Sequence, residues 1–176
     1  MKSLIVYFSH AKENYVKGDI VNLEEGNTKV VAKKIRIMTG ADMFEILPLH
    51  DYPDSYDECT QVAKNEINKN LCPKIRNLVA DIEEYDVIYL GYPNWWGTMP
   101  MIVKTFLEEH DFHGKIIYPF CTHEGSGLGD SIKDLRQLCP LSVIGTPLAI
   151  RGSEVYLSDE KIKEWLEKEK KDNGNK

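Results

Sequence analysis

The sequence predicts an α/β protein: a doubly wound, five-stranded parallel sheet with helices on both faces, in three layers. Short apolar runs of strand length alternate with amphipathic segments along the whole chain of 176 residues. The first run, residues 4–8, is apolar without interruption, which is typical of a strand covered on both faces. Such alternation indicates βαβ units, whose right-handed crossovers leave few topologies. Because no internal repeat or domain boundary is visible, we expect a single domain over residues 1–176.

The first βα unit contains the most unusual stretch of the chain. After the strand at residues 4–8, residues 9–26 are polar and contain two glycines, so we expect a long loop there. From Thr28 onward, apolar residues recur with helical spacing, and Gly40 is a typical helix stop. The second strand is expected at residues 42–47.

The middle of the chain continues this alternation. Residues 56–71 are polar and amphipathic and predict a helix, and a shorter helical segment is expected at residues 73–84. An apolar strand follows at residues 86–91, and then a helix at residues 100–109 that begins with a proline. The fourth strand is expected at residues 115–120.

The last part of the chain completes the pattern. A helix at residues 128–138 follows a glycine-rich loop, and residues 141–150 predict the fifth strand. Ser158 is a typical N-cap, and acidic residues occupy the first turn of the helix that follows. We expect that helix to fray into a solvated, charged tail over residues 167–176.

Composition and charge exclude several classes of function. With 22 Lys and Arg against 28 Asp and Glu, the formal net charge is −6, and no basic stripe typical of nucleic-acid binding is present. No apolar run approaches the roughly 20 residues that span a bilayer, and the opening segment is too short for a signal peptide. We therefore expect a cytoplasmic protein that binds neither nucleic acid nor a membrane.

The cysteines and histidines predict no metal site. The cysteines are scattered and lack the C-x-x-C spacing of a zinc knuckle or a thioredoxin-type couple: Cys59, Cys72, Cys121 and Cys139. His110 and His113 have the H-x-x-H spacing of some metal ligands, but they lie at an expected helix end beside a glycine. Reduced, unpaired thiols are the expected state in the cytosol.

In a sheet of this kind, ligands bind beyond the carboxyl ends of the strands, where the strand order reverses. The loop after the first strand ends in Gly26-Asn27-Thr28, directly before a helix. Glycine permits close backbone approach, and a helix N-terminus offers free N–H groups and partial positive charge to a phosphate. The same triplet also suits an ordinary turn and helix cap, so these residues alone leave both interpretations open.

The loop after the third strand, residues 92–100, contains two adjacent tryptophans. Trp95 and Trp96 cannot both enter one core, because neighbouring loop residues usually point in different directions. An exposed indole suits a planar apolar ligand or a partner protein. The alternative is that one indole packs on the end of the sheet and the other on a neighbouring helix.

The loop after the fourth strand places Gly125, Gly127 and Gly129 between a strand and a helix. This pattern indicates close backbone approach to a flat or anionic group. It matches the dinucleotide-binding fingerprint poorly, because it follows the fourth strand and lacks the sixth-position glycine. A hydrolase built on Ser126 and His123 is disfavoured as well, since no serine in this loop has the glycines of a nucleophile elbow.

Together the three loops resemble those of the flavodoxin family, through the motifs YPNWWGTMP and CTHEGSGLG and the Gly-Asn-Thr triplet. The resemblance covers nearly the whole chain and implies the strand order 2-1-3-4-5 and one bound flavin mononucleotide (FMN). The residues implied to hold the phosphate are Ser9, His10, Asn27 and Thr28. The flavin ring is implied to lie between two loops: Pro93, Asn94, Trp95, Trp96 and Gly97 on one side, and Thr122, His123, Gly125 and Gly127 on the other.

One departure from the family pattern concerns the phosphate loop. Simple flavodoxins have a compact loop there, whereas residues 11–25 are inserted here between Ser9 and the triplet. The phosphate site requires this insertion to fold outward, which costs little because loop-closure entropy grows slowly with length. The sequence leaves open which side chain reaches the phosphate or the ribityl chain: His10, Asn14 or Tyr15.

A bound flavin implies electron transfer, and two functions fit the sequence. One is a flavodoxin-like carrier that serves a redox partner protein. The other is an FMN-dependent reductase that takes hydride from a nicotinamide and reduces a quinone or similar small acceptor, with His123 as the candidate catalytic group. A protein-binding module that has lost its flavin is disfavoured by the intact triplet. The exposed tryptophans suit a monomer with a substrate pocket and a homodimer equally.

Overall fold

The computed structural model describes residues 1–79 and 81–174. Its strands are β1 (Ser3–Tyr7), β2 (Lys12–Val16), β3 (Asp19–Leu23), β4 (Asp42–Glu45), β5 (Val87–Pro93), β6 (Ile116–His123), β7 (Val143–Ile144) and β8 (Leu148–Arg151). The main sheet is parallel, in the order β4-β1-β5-β6-β7, with β8 also paired to β6. Since β7 and β8 share one position, the sheet has the doubly wound order 2-1-3-4-5, and the predicted fold class is confirmed.

The helices are α1 (Asn27–Thr39), α2 (Tyr56–Asn68), α3 (Met101–Glu108), α4 (Ser131–Leu138) and α5 (Asp159–Gly174). As the sequence predicts, α1 ends at Gly40, which has a left-handed backbone (φ 71°) and donates its N–H to Arg36 O at 2.8 Å. The predicted charged tail continues α5 to Gly174 instead of fraying, and residues 175 and 176 lie outside the described residues.

Two apolar cores flank the sheet, because successive side chains of each buried strand point to opposite faces. In β1, Leu4 and Val6 join the core that contains residues of α3 and α4. Ile5 and Tyr7 join the core that contains residues of α1 and α5. Both faces of the sheet are therefore covered, and the carboxyl ends of β1, β5 and β6 meet at one edge.

The prediction of a loop over residues 11–25 is wrong, because β2 and β3 pair there as an antiparallel hairpin. Lys17 and Gly18 both have positive φ (52° and 99°), the backbone of a two-residue hairpin turn. The hairpin is hard to detect in the sequence, because Lys-Gly is a weaker turn signal than Asn-Gly or Asp-Gly. In addition, both of its strands alternate only between exposed and half-buried positions.

The predicted fifth strand, residues 141–150, is interrupted in its middle. β7 pairs with the beginning of β6 and β8 with its end. The residues between them include Pro147, which has no N–H to donate to the sheet. They also include Gly145, where a Cβ atom would lie 2.2 Å from the ring of Tyr118. This crowding and the missing donor divide one strand into two short ones.

The predicted helical segment at residues 73–84 is likewise wrong for most of its described length. Residues 74–77 run beside residues 45–49: Leu49 donates its N–H to Lys74 O at 2.8 Å, and Arg76 donates its N–H to Leu47 O at 2.7 Å. Helical geometry appears only as a 3₁₀ turn at Ile82–Glu84. Extended pairing beside β4 thus replaces the helix that local spacing suggested.

Candidate functional site

A cavity of about 510 Å³ opens at the edge of the sheet where β1, β5 and β6 end. The loops after these strands form its floor, and the β2–β3 hairpin and α2 contribute its outer wall. The structure brings together many of the residues named from the sequence. Those that line the cavity are His10, Asn27, Thr28, Pro93, Asn94, Trp95, Trp96, Thr122 and His123.

Four predicted residues shape the site without lining the cavity. Ser9 Oγ accepts a hydrogen bond from the Lys29 N–H at 3.1 Å and so caps the first turn of α1. Gly97, Gly125 and Gly127 lie in the surrounding loops with positive φ angles of 84°, 126° and 61°. Such angles are unfavourable for other residues, so these glycines set the course of the backbone.

Several lining residues were not among the predicted ligands. The sequence offered the hairpin residues Asn14 and Tyr15 as alternative contacts for the phosphate or the ribityl chain. It did not indicate Glu13 or any residue of α2, because α2 follows β4, which lies at the edge of the sheet and away from the switch point. The remaining additions are Tyr56, Cys59, Thr60 and Ala63. Glu124 and Ser126 also line the cavity and belong to the segment 122–127 that the resemblance places beside the flavin ring. No local signal identifies α2 as part of the site, because Tyr56 in its first turn meets the hairpin only through tertiary packing.

The β2–β3 hairpin projects from the protein, and the residues before and after it are in close contact. A Cβ atom at Gly26 would lie 2.2 Å from Ser9 Oγ and 2.7 Å from His10 O, so only glycine permits this approach. The hairpin is also hydrogen-bonded to the segment before α2, since Glu13 donates its N–H to Asp54 O at 3.1 Å. The beginning of α1 therefore lies directly beside the end of β1, despite the insertion.

The N-terminus of α1 points a set of hydrogen-bond donors at the cavity. A helix leaves its first N–H groups without intrahelical acceptors, so those of Asn27 and Thr28 are available to an anion. Thr28 Oγ1 lies 2.8 Å from Thr122 Oγ1, and both side chains are buried. One hydroxyl donates to the other, which leaves one proton for an acceptor in the cavity. No acidic side chain occupies the first turn of α1.

The loops after β5 and β6 are joined into one unit. Asn94 donates from Nδ2 to Gly127 O at 2.8 Å and accepts the Gly97 N–H at 3.0 Å. Asp130 donates its N–H to Gly97 O at 2.7 Å. A Cβ atom at Gly129 would lie 2.0 Å from that same carbonyl oxygen, so the two loops touch through their backbones. The two loops therefore form one continuous wall of the cavity.

The two tryptophans have different surroundings, as the sequence predicts. Trp95 is half-buried and packs edge-on against Phe8 and Tyr52, with ring centroids 5.3 and 5.0 Å apart. Trp96 is 53% exposed, and its Nε1–H donates to Thr60 O of α2 at 2.9 Å. Both indoles line the cavity, Trp95 as an extension of the core and Trp96 as a bridge to α2.

Both histidines of the cavity are biased toward the neutral form. Burial lowers the pKa of His10, whose Nε2 lies 3.0 Å from Pro53 O. Burial also lowers the pKa of His123, and the charge of Arg151 lowers it further. His123 Nδ1 accepts the Gly125 N–H at 2.9 Å, so the proton of the neutral ring is on Nε2. His123 is thus an uncharged hydrogen-bond donor at the edge of the cavity.

Glu124 is one of two acidic residues, with Glu13, among the described residues that line the cavity. Its Oε1 accepts the Ser153 N–H at 2.7 Å, and its Oε2 is buried with no hydrogen-bond partner in residues 1–79 and 81–174. The Arg151 guanidinium lies 3.9 Å away and balances this charge. Among the described residues that line the cavity, none is lysine or arginine. An anion there is therefore stabilised by N–H groups and hydroxyls.

A family model described as Flavodoxin matches residues 21–169. The chain belongs to the flavodoxin family. This membership accounts for the parallel sheet, the switch-point cavity and the three ligand-facing loops described above, and it confirms the resemblance found in the sequence. No curated protein matches this flavodoxin-family chain.

Solved structures of similar proteins agree with this membership. A Bacteroides eggerthii protein provisionally described as a flavoprotein shares 27% identity (TM-score 0.71), with 89% of this chain and 94% of that chain covered. A Bacteroides uniformis protein of the same description shares 26% identity (TM-score 0.72), with 94% and 97% covered. A Lactobacillus acidophilus flavoprotein in complex with FMN has the same fold, at 21% identity, 88% and 95% coverage and a TM-score of 0.61.

The described residues of this flavodoxin-family protein include neither a membrane-spanning helix nor a metal-binding cluster. Within residues 1–79 and 81–174, no helix has the length and apolar character needed to cross a membrane. The same residues contain no group of three or more His, Cys, Asp or Glu side chains arranged to hold a metal ion. All four cysteines are free, and Cys72 is the exposed one.

Replacing Arg151 with Gln is expected to raise the pKa of His123, because the guanidinium charge disfavours protonation of the ring. An NMR titration of the histidine ring resonances measures this shift. In the wild type, the folded-state pKa lies below the unfolded value, so the unfolded state binds more protons and His123 lowers stability as the pH falls through about 6.5. Arg76→Gln, which removes only an exposed pair with Asp51, is the matched control. An unchanged His123 midpoint in Arg151→Gln would contradict the assigned cause.

Proposed function

We propose that this protein binds one FMN in the cavity at the carboxyl edge of its sheet and transfers electrons through it. The observation that carries the proposal is that three features meet at one cavity: the N-terminus of α1, the loop after β5 with its two tryptophans, and the glycine-rich loop after β6. Family membership supports a flavin, and the FMN complex of the Lactobacillus acidophilus neighbour supports FMN in this fold. The proposed partner is a redox protein or a small acceptor.

The cavity suits the three chemical parts of FMN. Its volume of about 510 Å³ lies within the 300–1,000 Å³ usual for ligand sites. The α1 end offers N–H groups and a hydroxyl pair to a phosphate, and the wall formed by the two joined loops offers indole and backbone surfaces to a flat ring. The buried Oε2 of Glu124, which is ion-paired with Arg151 but accepts no hydrogen bond within the described residues, is an acceptor that fits a ribityl hydroxyl.

The chain's own residues then have separate tasks. The first-turn amides of α1, with Thr28 and Thr122, hold the phosphate without a lysine. Asn94 keeps the ring-binding wall in place through its two backbone contacts. Trp95 continues the apolar core up to the cavity and so excludes water from that side. His123 presents an N–H donor that carries no charge at neutral pH. FMN, when bound, supplies the redox chemistry.

Thr28→Ala is expected to weaken FMN binding by about 1–3 kcal/mol, the range for a hydrogen bond to a charged group. Fluorescence titration of the apo-protein with FMN measures the change in Kd. Thr28→Ser keeps the hydroxyl and should bind nearly as the wild type does. Thr39→Ala, at the opposite end of α1, is the matched control, because its hydroxyl bonds only Ile35 O and the Ala41 N–H. Equal FMN affinity of Thr28→Ala and Thr39→Ala would place the phosphate elsewhere.

A second candidate function is an FMN-dependent NAD(P)H oxidoreductase acting on a quinone or similar small acceptor. One observation favours it: the cavity continues past the flavin-binding loops to Tyr15 and Tyr56, which leaves a wall that the proposed FMN contacts do not use. A carrier that delivers electrons to a protein needs an exposed ring edge but no such wall.

The reductase function predicts steady oxidation of NADPH that requires both FMN and a quinone. Duroquinone is a suitable acceptor, and the decrease in absorbance of NADPH measures turnover. The protein without its FMN is the control and should be inactive, because the electrons pass through the flavin. If the FMN-loaded protein shows no turnover with either nicotinamide, the carrier function stands and the reductase is ruled out.

A further inference from the structure

A pair of tyrosines forms the outer wall of the cavity. Tyr15 lies in β2 of the hairpin and is 43% exposed, whereas Tyr56 is the first residue of α2 and is half-buried. Their ring centroids are 6.3 Å apart with an interplanar angle of 32°, and both residues line the cavity. Two rings from separate elements thus lie beside each other in the lining of the same cavity.

The position of this pair is fixed by hydrogen bonds on either side of it. Glu13, two residues before Tyr15, donates its N–H to Asp54 O at 3.1 Å and accepts the Tyr56 N–H on Oε2 at 2.8 Å. Asn14 donates from Nδ2 to His10 O at 3.1 Å, which ties the hairpin to the loop after β1. Since an isolated two-stranded hairpin is marginally stable, these contacts determine where Tyr15 lies.

The polar groups at this end of the cavity are suited to a neutral acceptor of hydrogen bonds. Neither phenol oxygen of Tyr15 or Tyr56 has a hydrogen-bond partner within the described residues. Burial raises the pKa of Tyr56 above its ordinary value, so this phenol keeps its proton at neutral pH. No lysine or arginine is found among the described lining residues, and the Lys64 ammonium lies over the Trp96 ring, 4.9 Å from its centroid. A neutral ligand needs no cationic partner at this end of the cavity.

We propose that Tyr15 and Tyr56 form a subsite for a neutral, planar carbonyl compound of the quinone class, with the phenols donating to its carbonyl oxygens. The ring faces supply contact area for a planar molecule, and aromatic stacking of this kind is favourable at centroid separations of 4.5–7 Å. The hairpin is in this view a specificity element that adds a second binding site beside the cofactor.

This inference rests on the proposed function, because FMN is taken to fill the remainder of the same cavity. The residues assigned to FMN come from the loops after β1, β5 and β6, whereas the tyrosines come from the hairpin and α2. The two sets share a cavity but no element apart from the hairpin's base. Changes to the phenols are therefore expected to alter quinone binding and to leave FMN affinity unchanged.

The test is a titration of the FMN-loaded protein with duroquinone, observed by saturation-transfer NMR on the quinone methyl signals. The visible spectrum of each preparation reports its FMN content. The wild type should bind duroquinone saturably. Tyr15→Phe and Tyr56→Phe should each raise its Kd roughly three- to tenfold, the effect of one hydrogen bond between neutral groups. Tyr156→Phe, which alters an exposed tyrosine outside the cavity, is the matched control and should bind as the wild type does.

Three results would overturn the subsite: no saturable binding to the wild type, a Tyr15→Phe/Tyr56→Phe double variant equal to the wild type, or weaker FMN binding in that variant. The last result would assign the tyrosines to the cofactor. Failure of the proposed function is a separate outcome, recognised by a wild-type protein that takes up no FMN. The same duroquinone titration on that protein would still decide whether the tyrosine pair binds a quinone.

Discussion

The close approach of Gly26 to Ser9 is the constraint on which the rest of the site depends. The chain makes an excursion through β2 and β3 between these residues, yet a Cβ at Gly26 would stand 2.2 Å from Ser9 Oγ. The bond from the Lys29 N–H to Ser9 Oγ then fastens the beginning of α1 to the end of β1. The helix N-terminus consequently faces the cavity as it would after a compact loop, and the hairpin is free to form an outer wall.

The cavity walls formed by the loops after β5 and β6 also depend on close backbone contacts. Gly97, Gly129 and Asp130 bring the loops after β5 and β6 into direct backbone contact, and the Asn94 side chain adds a hydrogen bond to Gly127 O. Arg151 lies beside Glu124 and offsets its charge, and the lining residues that the structure describes include no lysine or arginine. In the proposed function such a site would hold a phosphate by directed N–H groups and a flat ring against indole and backbone surfaces, which suits a cofactor carrying both parts.

The sequence predicted the doubly wound sheet and the three switch-point loops, because buried strands and glycine-rich turns leave strong local patterns, whereas the order of the strands came from the family resemblance. It could not reveal the hairpin, since Lys17-Gly18 is a weak turn signal and neither strand has a buried face. The contribution of Tyr56 was also beyond its reach, because that residue meets Tyr15 only through the tertiary position of the hairpin. Long-range packing, as opposed to local periodicity, determines both features.

The central claim is that the N-terminus of α1 holds the phosphate of a bound FMN. Its most direct test compares FMN with riboflavin, which has the same ring and ribityl chain but no phosphate, in fluorescence titrations of the apo-protein. The account predicts saturation at one FMN per chain and at least roughly 100-fold weaker binding of riboflavin, the effect of losing two charge-assisted hydrogen bonds. Equal affinity for the two compounds, or no binding of FMN, would contradict it.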